Sequence, residues 1–204
     1  MIPRILEPEV MDTPEEARDY DAMDHAAVNR VFVEDFLKVW TGGAPILDVG
    51  TGTAQIPIEF CRQSPNGSVV AIDLAEEMLI LARRNIEATG CTNRIRIERV
   101  NAREMPYADG SFQAIMSNSI IHHVPEPAVV LSEMRRVCVK GGLFFVRDLL
   151  RPGDEKTLRR LVEQYAGEAN NHQRKMFTES LHAALTLEEV RTLVRNLDFA
   201  PSSV

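Results

Sequence analysis

The sequence predicts an α/β protein: a Rossmann-like, doubly wound and mostly parallel sheet preceded by an N-terminal helical lid. Three observations predict it. Short β-rich runs alternate with helical patterns at a spacing of about 25 residues. The first of these runs leads straight into a glycine turn and then a helix. A length of 204 residues with 45% hydrophobic and 26% charged composition fits one globular domain.

Taken in order, Thr13-Pro14-Glu15-Glu16 supplies a capping residue, a first-turn proline and acids near the positive helix end, so the first forty residues read as helical. Val28, Val31, Phe32, Phe36 and Val39 recur at three- and four-residue steps and predict a buried stripe on a second helix, ended by Thr41-Gly42-Gly43. Strands are predicted at Ile46 to Val49, Val69 to Ile72, Ile95 to Arg99, Ala114 to Ser117 and Leu143 to Val146. Helices are predicted between them at Gln55 to Arg62, Ala75 to Thr89 and Val129 to Val137. Beyond Asp148 the pattern is helical, over Glu155 to Ala166, Lys175 to Ala184 and Leu187 to Leu197, with a break at Gly167 to Gln173. Residues 1–43 are thus expected to form the lid, 44–148 the cofactor-binding core, and 149–204 a helical cover with a C-terminal helix, all within one domain.

The balance of 23 Lys plus Arg against 30 Asp plus Glu gives a net charge of −7, which disfavours nucleic acid and anionic lipid as partners. Three scattered cysteines in no metal-ligand spacing suit a reducing cytosol, and no metal site is expected. No apolar run approaches the length of a membrane span, and the N-terminus is too acidic for a signal peptide, so a cytoplasmic protein is expected.

The most informative segment is Ile46-Leu47-Asp48-Val49-Gly50-Thr51-Gly52-Thr53. Gly50 and Gly52 let the backbone turn tightly and approach a ligand with no Cβ in the way. Asp73 closes the second strand, where a carboxylate can accept from both ribose hydroxyls of an adenosine. A dinucleotide site wants a third glycine, and Gln55 stands in its place. Asp48, two positions before the first glycine, suits instead a cofactor with an ammonium group and no phosphate, which points to S-adenosylmethionine.

These residues, together with Ala17-Arg18-Asp19-Tyr20-Asp21, Ala71-Ile72-Asp73-Leu74 with Met78, Asn101-Ala102-Arg103-Glu104-Met105-Pro106-Tyr107, Asp109-Gly110-Ser111-Phe112, Ile121-His122-His123-Val124 and Lys140-Gly141-Gly142, follow one another in a family order. The chain resembles the class I S-adenosylmethionine-dependent methyltransferases of the small-molecule type, related to the ubiquinone-biosynthesis methyltransferases. The resemblance implies that Asp48, Gly50 and Gly52 surround the methionine moiety, Asp73 the ribose, Leu74 and Met78 an adenine face, and Asn101 with Ala102 the adenine edge. The family usually has Asp where this chain has Asn101, whose amide oxygen can still accept from an amino group. It further implies that Asn118 lies near the methionine part and Tyr20 on the lid near the cofactor carboxylate.

His122 and His123 are the candidates for acid–base work on an acceptor; the alternative is that they cap a strand-to-helix connection. Arg147, Asp148 and Phe177 are candidate acceptor contacts, against a structural salt bridge and ordinary helix positions. The implied reaction is methyl transfer to a small-molecule acceptor, leaving S-adenosylhomocysteine. Two other readings stay open: an S-adenosylmethionine-binding protein without transfer, and a nicotinamide-dependent dehydrogenase. The family's sheet continues with two further strands after the last helix, and here the C-terminal strand hairpin is expected to be missing, since only Phe199-Ala200-Pro201-Ser202-Ser203-Val204 remains.

Overall fold

The computed structural model describes residues 2–7 and 12–204, with Pro201 described by its backbone only; residue 1 and residues 8–11 of the expected lid lie outside the described residues. Residues 2–7 carry no regular structure, so the expected helical start is confined to α1 (Pro14–Asp21) and α2 (Ala26–Val39). Thr13 caps α1 in a reciprocal arrangement with Glu16, and Pro14 occupies the first turn, where its missing N–H costs nothing.

Five strands follow: β1 (Ile46–Val49), β2 (Val69–Asp73), β3 (Ile95–Arg99), β4 (Phe112–Asn118) and β5 (Cys138–Arg147). They lie in the order β3-β2-β1-β4-β5 and every neighbouring pair is parallel. The chain moves outward through β2 and β3, then crosses to the other side of β1 for β4. That reversal is the switch point, where ligands of such sheets bind beyond the strands' carboxyl ends. The Ser117 hydroxyl, fully buried, donates to the Val49 carbonyl (2.9 Å) and ties β4 to β1 there. The helices between and after the strands are α3 (Gln55–Gln63), α4 (Glu76–Ala88), α5 (Pro127–Val137), α6 (Glu155–Ala166), α7 (Asn171–Ala183) and α8 (Leu187–Asn196). Two compact units emerge among the described residues, one within residues 12–118 and 133–147, the other within residues 2–7, 119–132 and 148–204.

In the sheet unit, Ile46, Val69, Ala71, Ile95, Ala114 and Met116 share one face and pack with α2, α3 and α4 residues such as Phe32, Phe36, Ile58, Phe60, Ala82 and Ile86. Leu47, Val49, Ile72 and Ile115 on the alternate positions are equally buried, as strands covered on both faces require. The predicted stripe on α2 is wrong by one position in part: the buried face is Asn29, Phe32, Val33 and Phe36, while Val28, Val31 and Val39 are about half exposed. The aromatic contacts decide the helix's rotation, because Phe36 meets Phe60 and Phe145 edge-on and Phe32 meets Phe145. β5 is longer than predicted. Cys138 pairs with Phe112 and Leu143 with Ala114, so the Val139 to Gly142 stretch bulges out, with Gly141 left-handed (φ +78°). Among the described residues no strand follows β5; an isolated bridge joins Leu150 and Leu185.

The second unit is helical in its C-terminal part. Ile2, Leu158, Val162 and Leu181 form its apolar centre, with Leu149, Leu161 and Phe177 against it. Asp154, Asn170 and Thr186 cap α6, α7 and α8, each accepting from a backbone N–H in the first turn. The Asn170 cap starts α7 four residues earlier than the apolar pattern suggested, which shortens the predicted break.

Candidate functional site

The site is built at the end of β1. Gly50 (φ +75°) and Gly52 (φ +53°) are both left-handed, and the N–H groups of Gly50 and Thr51 donate to the Ile72 carbonyl (2.9 Å each). Ala54 is left-handed as well (φ 64°), an unfavourable conformation for alanine, held by its N–H bond to the Thr51 carbonyl (2.9 Å) and by complete burial. The turn is therefore fixed before any ligand arrives.

Asp73, at the end of β2, reaches back to this turn: its Oδ2 accepts from the Gly52 N–H (2.8 Å) and its Oδ1 from the Ala75 N–H (3.0 Å). Asp48 is 2% exposed. Burial pushes its carboxyl up to about 7, against the pull of the neighbouring Thr51 hydroxyl and with a smaller push from the Asp73 charge. Its Oδ2 is buried without a hydrogen-bond partner. A buried acid with an unmatched oxygen is a place prepared for a cation.

Tyr20 closes the turn from α1: a Cβ added at Gly52 would sit 3.5 Å from its ring. Burial and the charges of Asp73, Asp48 and Asp21 raise its hydroxyl to about 12, so at neutral pH it is a donor. The same α1 face packs Ala17 and Tyr20 against Ala75 and Met78.

A polar network that sequence reasoning missed holds these pieces together. The Asn29 side-chain amide donates to Gln55 Oε1 (3.1 Å), Gln55 Nε2 reaches Asp21 Oδ1 (3.4 Å), and Asn85 Nδ2 donates to both Asp21 Oδ1 (2.9 Å) and the Thr53 carbonyl (3.1 Å). Gln55, noted only for replacing a glycine, thus links α1 and α2 at the start of α3, and Asn85 ties α4 to α1 and to the glycine turn. An asparagine facing inward on α2 was the available signal.

Other expected residues have mixed placements. Leu74 is half-buried, and its carbonyl accepts from Arg99 Nε (3.0 Å). Met78 is buried under α1. Asn101 is exposed and its Oδ1 accepts from the Arg103 N–H (3.0 Å), a turn bond that leaves one lone pair, and Ala102 beside it is half-buried. Asn118 ends β4 in register with Arg147 on β5. Arg147 is committed to Asp35 on α2 (2.7 Å), with its guanidinium 5.5 Å from the centre of the Phe32 ring. The Met105-Pro106-Tyr107 segment is pinned by Arg136, which donates to the Met105 and Tyr107 carbonyls (2.9 and 2.7 Å), and by Glu133, which accepts from the Met105 N–H (2.9 Å).

The remaining candidates belong to the helical unit. His122 is 2% exposed and its Nδ1 lies 2.5 Å from Asp148 Oδ1. Asp148 also accepts from the N–H groups of Ile121 and Leu149 (2.6 Å each). His123 Nδ1 lies 3.0 Å from Glu7 Oε1, a residue 116 positions away and invisible to any local pattern. Phe177 packs in the unit's apolar centre, 6.4 Å from the Tyr165 ring.

Residues 46–142 match the family described as "Methyltransferase domain". A demethylmenaquinone methyltransferase of Porphyromonas gingivalis is 30% identical over 142 residues, 67% of this chain and 58% of that protein. A phosphatidylethanolamine N-methyltransferase of Cereibacter sphaeroides is 37% identical over 100 residues, 49% of this chain and 48% of that one. The chain spans about half the length of the curated relatives it matches. Among solved structures, a Methanococcus maripaludis protein provisionally assigned as an S-adenosyl-L-methionine-dependent methyltransferase superposes with a TM-score of 0.72 at 19% identity, over 95% of this chain and 87% of that one, which speaks to the fold.

Proposed function

We propose that the chain, whose residues 46–142 match a methyltransferase domain, is a class I S-adenosylmethionine-dependent methyltransferase that binds S-adenosylmethionine at the glycine turn and moves the methyl group to a small-molecule acceptor. One observation carries the reading: buried Asp48, with an unpartnered Oδ2, beside two left-handed glycines. An ammonium group matches that oxygen, and a pyrophosphate would not. Asp73 receives the ribose hydroxyls, and Tyr20 donates toward the cofactor carboxylate from above Gly52. Leu74, Met78, Asn101, Ala102 and Asn118 complete the cofactor's surroundings.

The bound cofactor supplies an electrophilic methyl on a sulfonium whose positive charge is lost in the transition state. This chain contributes alignment: a prestrained turn, a fixed carboxylate pair and a ring that closes over the turn, so that little ordering is left for the reactive complex. Such transfer needs no dedicated base for every acceptor, and the acid–base role expected of His122 or His123 is left aside here because carboxylates flank both rings. A net charge of −7 supports a small molecule over a nucleic acid as partner. No helix among the described residues is long and apolar enough to cross a membrane.

The protein incubated with methyl-labelled S-adenosylmethionine and a panel including demethylmenaquinone and phosphatidylethanolamine is expected to transfer label and release S-adenosylhomocysteine in equal amounts. Saturable binding with no label moved to any acceptor favours a binding protein instead. A second expectation concerns the turn. Gly52→Val puts a β-branched residue at φ +53° and crowds Tyr20, at a cost of about 1–3 kcal/mol and with loss of cofactor binding. Gly52→Asn, which tolerates the left-handed region, retains more of both; melting curves and titrations that rank the two variants equally overturn this account of the turn.

A further inference from the structure

In the helical unit, three chain segments meet around a small set of buried side chains. Residues 2–7 run beside the end of α7: Ile2 is buried with Leu158, Val162 and Leu181, and the Ile5 N–H donates to the His182 carbonyl (3.2 Å). Arg4 donates to the carbonyls of Ala183 (2.8 Å), His122 (3.2 Å) and Val124 (3.1 Å). This path delivers Glu7, whose side chain is 8% exposed, to His122 and His123.

We propose that Glu7, His122 and His123 bind one divalent transition-metal ion of the Zn2+ or Fe2+ type, with Asp148 positioning His122. Glu7 Oε1 lies 3.6 Å from His122 Nε2 and 3.0 Å from His123 Nδ1, and the three atoms all lie within 4.8 Å of one another. Bonds of about 2.0–2.2 Å at tetrahedral or octahedral angles place ligand atoms roughly 3–3.5 Å apart, close to the 3.0 and 3.6 Å that separate Glu7 Oε1 from the two nitrogens. Yet none of the three atoms makes a hydrogen bond: they are close and buried but not aimed along a donor–acceptor line. Lone pairs converging on a shared point between them produce that combination.

The tautomer is arranged to match. Asp148 is fixed by the N–H groups of Ile121, His122 and Leu149, and in the tautomer in which His122 Nδ1 donates to it, Nε2 is the lone-pair nitrogen on the Glu7 side. Two carboxyl groups, of Glu7 and Asp148, converge on two imidazole rings in a largely buried place, a donor set that suits a divalent ion. Two nitrogens and one carboxylate oxygen suit zinc or ferrous ion better than calcium or magnesium. Three protein ligands leave a position open for water or another oxygen donor.

The test uses the full chain stripped of metal by chelator and titrated with Co2+, then Zn2+. One Co2+ per chain is expected, with a visible absorption band that Zn2+ abolishes and a higher melting temperature in the metal-bound form. Glu7→Gln and His123→Ala are each expected to lower Zn2+ affinity by about 100-fold or more, and Asp148→Asn by about 10- to 100-fold, with unchanged far-ultraviolet circular dichroism. Absence of saturable one-to-one Co2+ binding to the unsubstituted protein overturns the proposal, whatever the variants do. So does stoichiometric binding that Glu7→Gln and His123→Ala leave intact, since the ion then sits elsewhere.

Discussion

Replacing Asp73 with alanine is expected to weaken S-adenosylhomocysteine binding by about 100-fold or more. Two ribose hydroxyls bonded to one carboxylate contribute about 1.5–3 kcal/mol each, and even the lower figure, taken twice, is about two orders of magnitude. The structure adds a second reason. The same carboxylate holds the Gly52 and Ala75 N–H groups (2.8 and 3.0 Å), so its removal loosens the turn as well as the ribose contact. Asp73→Asn is expected to weaken binding by less, because its amide keeps one acceptor while setting a donor against a donor at the other position. Calorimetry that finds unchanged affinity in a folded Asp73→Ala protein removes Asp73 from the site.

Asp48→Asn is expected to act on binding and stability in opposite directions. The carboxyl is raised to about 7 in the folded chain, chiefly by burial, from an ordinary value of 3.8. Between those values the folded state keeps a proton that the unfolded state has lost. Stability of the ligand-free protein from this group is therefore fully present below pH 4, falls by about 1.4 kcal/mol per unit as pH rises toward 7, and levels off above it. Asparagine cannot ionise, so the variant gains thermal stability relative to the parent at pH 8 and little at pH 4. Cofactor binding moves the other way: an ammonium group needs ionised Asp48, so the parent's affinity falls toward tenfold per unit below pH 7. The variant binds weakly and without that slope. Melts at pH 4 and 8 with parallel titrations check both halves; a variant that binds as tightly as the parent at pH 8 contradicts the role given to Asp48.

Much of this was legible in the sequence because its signals are local. The Asp48-Val49-Gly50-Thr51-Gly52 run needs left-handed backbone in known places, and Gly50 and Gly52 adopt it. β1 and β3 have the predicted bounds: β1 is a short apolar-rich run that ends at Gly50, and in β3 isoleucine alternates with charged residues at Ile95, Arg96, Ile97 and Glu98. What failed was rotation and commitment. Val28, Val31 and Val39 fit a helical stripe as well as Asn29 and Val33 do, and only the Phe36 contacts with Phe60 and Phe145 choose between them. Arg147 looked available at a strand end, yet Asp35, far away in sequence, already holds it. The Glu7, His122 and His123 cluster draws on residues more than a hundred positions apart, so no spacing rule could present it.

The glycine turn with Asp48 and Asp73 is proposed as an S-adenosyl site and not a dinucleotide site. Calorimetric titration of the unsubstituted protein with S-adenosylhomocysteine and, separately, with NADH at pH 8 tests it most directly. Saturable one-to-one binding of S-adenosylhomocysteine and no saturable binding of NADH are expected; saturable binding of NADH, or none of S-adenosylhomocysteine, contradicts the assignment.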